Sequence, residues 1–368
     1  MSIFKLVPAF KNYLWGGQKL VEKYGKKTEV TPVAESWELS LHPDGPSLTE
    51  DGAFLSSLPE EAFGKNVSSF EIFPVLIKFI DANGSLSIQV HPSDEYALKN
   101  ENSLGKTETW YIVEAEEGAG IYLGFDRKTD KEEFKKAVAE CRLTELLNFY
   151  NVRAGESYFI PSGTVHAICK GCLILEIQQN SNITYRVYDY DRVDANGNKR
   201  MLHVDKAAEV TNTEKFVLER LPKNVVGLSK YFTAVKYAFK KKTFFADENS
   251  FECVTCVKGG GSIDGRPFSV GDSFFVPAGY GKYVVEGDGE VVITSVRRYH
   301  IDIERKDLKL TARLSDDRGR IYVKSTKTLG AIDGPTIAEY SEKLVSAVLK
   351  KAKMSYSDLE RAPEIVAF

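Results

Sequence analysis

Gly155–Gln179, GESYFIPSGTVHAICKGCLILEIQQ, reads as two strands joined by a turn, with a histidine just past the turn. Tyr158-Phe159-Ile160 is aromatic and β-branched, the composition of a pleated, half-buried surface. Pro161-Ser162-Gly163 is turn chemistry, because Pro presets φ and Gly accepts a positive φ. From Leu173 to Gln179 the side-chain period is two. Ile174, Glu176 and Gln178 leave one face of the strand, and Leu173, Leu175 and Ile177 leave the other. Strand, Pro-x-Gly turn, His166, then a strand bearing Glu176 is how a small β-barrel presents a metal ligand to its interior.

The same scaffold occurs again. Gly155–Gly163 (GESYFIPSG) matches Gly271–Gly279 (GDSFFVPAG), and each copy follows a strand with a Gly-rich turn, TWYIVEAEEGAGIYLG in the first and ECVTCVKGGGSIDG in the second. A repeat of this size is a repeated supersecondary unit. At equal distance from the leading glycine, His166 corresponds to Lys282 and Glu176 to Val292. The second copy therefore keeps the strands and the turn but not the chemistry.

Around these copies, 34–41 (AESWELSL) is a strand candidate carrying Glu35 and Glu38, and 73–80 (FPVLIKFI) is a buried strand by its apolar character. Asp81-Ala82-Asn83-Gly84 is a hairpin turn signal. In the alternating stretch 85–91 (SLSIQVH), Ser87, Gln89 and His91 share one face. Gly105-Lys106-Thr107-Glu108 leads into a further strand, TWYIV. The spacing of Phe134, Val138, Cys141 and Leu146 predicts a helix over 130–148, capped by Thr129 or Asp130. In 182–192 (NITYRVYDYDR), Thr184, Arg186, Tyr188 and Tyr190 alternate with Ile183, Tyr185 and Val187. Residues 195–225 are polar and read as a link between domains, with a short helix near Val204 to Glu209.

Composition narrows the function. The chain has 368 residues, room for two ordinary domains, and 43% of them are hydrophobic, enough for a core. The net charge of -3 makes no electrostatic case for nucleic acid or an anionic membrane. The densest basic run, Lys240-Lys241-Lys242, reads as a solvated strand end. No apolar run approaches the roughly 20 residues that span a bilayer. The opening MSIFKLVPAF is too short and interrupted for a secretory signal. Five cysteines in a chain of this length point to a reducing cytoplasm rather than a disulfide framework. Cys169-x-x-Cys172 and Cys253-x-x-Cys256 have the spacing of zinc knuckles. On strands, however, that spacing sends the two thiols to opposite faces, so buried free thiols are expected.

Gln89 and His91 on one strand face, Glu108 before the next strand and His166 after the turn could gather around a cation. Two imidazoles, a carboxylate and an amide oxygen suit a divalent ion such as zinc and leave room for water or substrate. Half-buried strand His and Gln also occur as plain hydrogen-bonded core polars, and spacing alone leaves both readings open. Trp15, beside two glycines, is the tryptophan best placed to stack on a ligand; Trp37 and Trp110 read as core.

The words LSIQVHP, GKTETWYIV, IPSGTVHAI and ILEIQQNSNITYRVYDYDR, in that order, resemble the type I mannose-6-phosphate isomerases in their shorter bacterial form. WGG near the start, ESWELS and KFIDANGSLSIQVHPSDEYA are similar to that family too, and the resemblance covers about residues 1 to 300. It implies a mostly β fold of two cupin jelly-roll barrels with a helical insertion, one divalent metal ion, zinc, in the N-terminal barrel, and a small sugar phosphate as the partner. Carried over residue by residue, it implies Gln89, His91, Glu108 and His166 as metal ligands. It also implies Arg186, Lys106 and Glu176 as catalytic residues, with Trp15, Lys106 and Arg186 at the substrate. The implied reaction interconverts mannose 6-phosphate and fructose 6-phosphate through an enediol(ate). A cupin isomerase for another sugar phosphate, such as glucose 6-phosphate, and a non-catalytic sugar-phosphate-binding cupin are the alternatives. The expected division is a metal-binding domain over 1–225 with its insertion at about 130–148, a second barrel over 226–300 and an α/β extension over 301–368. That extension resembles the opening of the ROK sugar kinases, with a hairpin through Asp317-Arg318-Gly319 and then a helix from about Thr336 to Lys353. Glu304-Arg305-Lys306 stands where that family has a Gly-Gly-Thr phosphate turn. Such side chains block close backbone approach to phosphate, so no kinase activity is expected.

Overall fold

The computed structural model describes residues 1–193, 197–218, 220–306, 309–328 and 334–367. The protein is mostly β and has the cupin jelly-roll architecture, with its strands in open, facing sheets rather than closed cylinders. In the N-terminal half, a six-stranded sheet runs in the order 157–160, 108–115, 172–179, 75–82, 35–39, 9–11. It faces a five-stranded sheet in the order 185–188, 88–90, 166–168, 120–125, 147–151. The repeated unit forms an eight-stranded sheet built mainly from 225–295. Beyond it, 299–306, 309–316, 321–328 and 364–367 make a four-stranded sheet, against which the helix Gly334–Ala352 packs.

The six-stranded sheet is buried on both faces, which explains why its strands Val75–Ala82 and Cys172–Gln179 are buried at every position. The face carrying Ile174, Ile80, Ile112 and Trp110 looks into the first jelly roll. The face carrying Leu173, Leu175, Ile177, Ile77 and Phe79 packs on Val226, Phe232, Phe251, Phe275 and Val292 of the second. One apolar layer thus serves both halves. Its centre is aromatic: Phe251 stacks on Phe275 with centroids 5.3 Å apart and rings 16° from parallel, and Phe63 meets both. Phe251→Ala empties this fully buried site and is expected to cost about 3–5 kcal/mol, read as a lowered midpoint in chemical denaturation. A loss of the size seen for surface changes would mean that the two halves do not share this core.

Two further contacts tie the halves. The strand Phe4–Val7 pairs antiparallel with Ser273–Val276, with Phe4 opposite Phe275. Lys26 is buried, pairs with Glu38 at 2.6 Å and donates to the carbonyl of Gly271 at 2.7 Å.

The helix expected over 130–148 is shorter. It runs Lys131–Ala139, with the Asp130 side chain accepting from the Glu133 amide at 2.8 Å as its cap. Cys141, with φ of 55°, turns the chain out of the helix. A 3₁₀ turn, Leu143–Leu146, and the strand Leu147–Asn151 follow. The apolar spacing persists past Ala139 because Leu143, Leu146 and Leu147 bury against the same cluster as Phe134 and Val138. With the helix Val204–Val210, this segment covers the outer face of the five-stranded sheet. In the extension, Glu304 and Lys306 lie in the strand Tyr299–Lys306, not in a turn. Tyr340 packs against the extension's core and Leu344, Val348 and Leu349 are buried in it. Among the described residues no helix is long and apolar enough to cross a membrane.

Candidate metal centre

Register places the polar side chains of the first jelly roll in two facing rows. On the five-stranded sheet, Gln89 lies opposite His166 on one side and Arg186 on the other. On the six-stranded sheet, Trp37, Lys78, Glu176, Trp110 and Tyr158 lie opposite one another in succession. Glu108 opens its strand opposite Ile160 and Gln178. The alternation read in 85–91 and 173–179 is what aims these residues inward.

His91, Glu108 and His166 meet at the closed end. All three are buried, and one donor atom from each lies within 4.8 Å of the others. Nε2 of His91 is 3.6 Å from Glu108 Oε2, and Nε2 of His166 is 3.4 Å from Glu108 Oε1. The other ring nitrogens are anchored to backbone: Nδ1 of His91 lies 2.8 Å from the Ile183 carbonyl, and Nδ1 of His166 lies 2.8 Å from the Thr164 carbonyl. A carbonyl only accepts, so Nδ1 carries the proton in each ring and Nε2 presents a lone pair. Burial pushes both imidazoles down, His166 to about 4 and His91 well below its usual range, with the Lys106 ammonium adding to the effect. Both rings are therefore neutral, as metal ligation requires. Neither oxygen of Glu108 makes a well-directed hydrogen bond among the described residues. Burial, with the nearby Glu176 charge, raises its carboxyl. Two neutral imidazole lone pairs and a buried carboxylate, with donor atoms within 4.8 Å of one another, are a donor set that fits a divalent metal.

Two neighbours qualify the set. Lys106 pairs with Glu108 at 2.7 Å, and its ammonium is 3.1 Å from His91 Nε2, so positive charge already sits beside these donors. Gln89 turns its amide nitrogen, not its oxygen, to the imidazoles, at 3.4 Å from each Nε2, while its oxygen accepts from Ser87. Rotating the amide by half a turn would present the oxygen instead.

From this end a cavity of about 260 Å³ opens outward, lined by Trp15, Gln89, His166, Lys106, Glu176 and Arg186 among others. Burial works against the Glu176 charge, but Lys106 and Lys78, with hydrogen bonds from Lys78 and from Trp110 Nε1 at 2.8 Å, outweigh it and hold the carboxyl low. Lys78 is itself buried between Glu176 at 3.1 Å and Glu35 at 3.3 Å. Arg186 is half-buried and, among the described residues, donates to the Ser87 hydroxyl at 3.2 Å and the Met201 carbonyl at 3.1 Å, while its guanidinium lines the cavity.

The sequence-predicted residues all reach this one cavity or the donor cluster at its end, Trp15 included. Trp110 is core, as read, and one edge of it also reaches the cavity wall. Among the lining residues that sequence reading did not single out are the titratable Lys78, Glu35, Arg200 and His203. A lysine inside FPVLIKFI was a usable signal, since a buried strand carries a charge only with partners. Arg200 and His203 fall in the stretch read as a link, where no pattern marks them. Arg200 is held by Asp189, with Nε donating at 2.8 Å.

The family model for the type I phosphomannose isomerase catalytic domain matches residues 3–118, and that for the mannose-6-phosphate isomerase cupin domain matches residues 223–296. A mannose-6-phosphate isomerase of Streptococcus mutans is 36% identical over 298 residues, which is 76% of this chain and 93% of that protein. The mannose-6-phosphate isomerase ManA of Bacillus subtilis is 35% identical over 306 residues, 78% of this chain and 96% of its own. The crystal structure of the mannose 6-phosphate isomerase from Bacillus subtilis superposes with a TM-score of 0.72 at 34% identity, covering 80% of this chain and 99% of that one. The chain belongs to the type I mannose-6-phosphate isomerase family.

Proposed function

We propose that this protein interconverts mannose 6-phosphate and fructose 6-phosphate, using one divalent metal ion, zinc, held by His91, Glu108 and His166 with Gln89 as a fourth donor. The observation that carries the reading is the polarity of one cavity. Neutral imidazoles and a buried carboxylate converge beside it, His166 reaching its wall, and Arg186 and Arg200 line it as well. When bound, the ion supplies Lewis-acid polarisation of the sugar's C1–C2 oxygens.

The chain's own residues do the rest. Arg186 offers a planar fork to the phosphate, and the half-burial and neighbouring Arg200 that lower its pKa leave a field that favours an anion there. Trp15, stacked on Tyr13 with centroids 5.5 Å apart, gives the sugar a flat apolar wall. Lys106 bridges the donor cluster and Glu176, at 3.7 Å from Glu176 Oε1, and steadies negative charge developing on the enediolate. Glu176 is the proton carrier between C1 and C2: its carboxyl is held low, so it is ionised, and it lines the cavity. A coupled assay with each hexose phosphate tests the reading. Turnover of mannose 6-phosphate far above that of glucose 6-phosphate is expected. Preference for glucose 6-phosphate, or binding without turnover of either, would refute it.

A further inference from the structure

The second jelly roll retains a mouth of its own. Glu252 lies opposite Val276 just as Glu108 lies opposite Ile160, and Ile160 and Val276 are the same position of the repeated strand. Lys282 stands at the position of His166. Both Glu252 and Lys282 line a cavity of about 300 Å³, at the lower end of the size of small-molecule sites. The repeat has thus kept the pocket and the carboxylate while replacing a metal-type ligand with a cation.

The other wall comes from the extension. The turn after strand 309–316 is fixed by Asp316, whose Oδ1 accepts from the amides of Arg318 at 3.0 Å and Arg320 at 2.9 Å. It delivers both guanidinium groups to the same cavity, where Arg297 forms part of the wall. Arg318 donates to Asp247 at 2.7 Å and Glu252 at 2.8 Å, and Arg320 to the Tyr237 hydroxyl. Arg297 is 3% exposed; Asp247 takes its Nη1 at 3.0 Å. Its Nη2 has no hydrogen-bond partner among the described residues, the nearest carboxylate oxygen, on Glu252, being 3.7 Å away. A buried guanidinium nitrogen without an acceptor is costly. The lining holds Lys242, Lys282, Arg297, Arg318 and Arg320 against Glu252 and Asp316. Burial lifts Glu252 to about 7, which weakens the opposing charge further.

We infer that this mouth, walled by the extension's Arg318–Arg320 turn, binds a small phosphorylated metabolite through Arg297, Arg318, Arg320 and Lys282. Cations reach the cavity from the barrel floor, from the turn and from a strand end, an arrangement that suits the several oxygens of a tetrahedral phosphoryl group better than a planar carboxylate. The site is separate from the first-barrel cavity and stands or falls independently of it.

Hydrogen–deuterium exchange of the full chain in millimolar inorganic phosphate, against chloride at equal ionic strength, tests the assignment. Slower exchange is expected in peptides covering 282–297 and 316–322. The effect should vanish in Lys282→Ala/Arg320→Ala, with the phosphate Kd at this site weakened at least tenfold in a calorimetric titration. Both side chains are exposed, so the variant should melt with the wild type; if it does not, the Lys282→Ala protein alone serves. No added protection in those peptides, protection confined to the first barrel, protection that persists in the variant, or citrate binding more tightly than phosphate would each overturn the inference.

Discussion

His166→Ala is expected to remove the metal from the purified protein and to lower kcat by about 10³-fold or more. The magnitude follows from Lewis-acid stabilisation worth several kcal/mol at 1.36 kcal/mol per tenfold. The substitution takes away one of the two neutral imidazoles whose Nε2 atoms face Glu108. It leaves Glu108 buried beside Lys106, a pairing the protein already contains, so the local fold should survive. Elemental analysis and the isomerase assay, run on the same preparation, make the measurement. A metal-free variant with full turnover would end the proposed mechanism. A variant that keeps its metal and loses turnover would move His166 from the ligand set to the substrate.

Lys78→Met is expected to cost about 3–5 kcal/mol of stability, the usual consequence of removing one partner from a buried charge cluster. Lys78 lies between Glu35 and Glu176, and all three are buried. Burial opposes its charge, but the two carboxylates overcome that and raise its pKa. Without it, Glu35 keeps, among the described residues, the hydrogen bond from Trp37 Nε1 at 2.7 Å, and Glu176 must rely on Lys106 and Trp110. Denaturant midpoints give the loss, and adding Glu35→Gln should restore part of it, a coupling that a double-mutant cycle reads directly. A change within about 0.5 kcal/mol, the size of an ordinary surface substitution, would show that solvent reaches this cluster.

The legible part of the chain was the part governed by a period of two. Alternation in 85–91 and 173–179 fixed which side chains face inward, and the turn at 161–163 fixed where His166 follows. Those local rules carried the donor set, and the register between strands did the rest. What was not legible depends on distant packing. Lys78 hid in an apolar run because both faces of its sheet are covered, so the strand shows no alternation to interrupt. Arg200 and His203 reach the cavity from a loop whose course is set by tertiary contacts. The helix over 130–148 was overextended because apolar spacing reports burial, and burial continues into a strand. The repeat was legible as a strand-and-turn scaffold, but no local pattern says that Arg318 and Arg320, from outside the repeat, would furnish its mouth.

The Phe4–Val7 strand is synthesised long before its partner Ser273–Val276. Its far half can pair early with Leu48–Thr49, but Phe4 and Lys5 must wait for Ser273–Val276, and that closure is of the long-range kind that slows folding. A fragment begun at the second barrel would lack that strand and bare the backbone edge of Ser273–Val276, an invitation to sticking. For anyone dissecting this protein by truncation, the cut that looks natural on the linear map is the one that leaves both pieces unfinished.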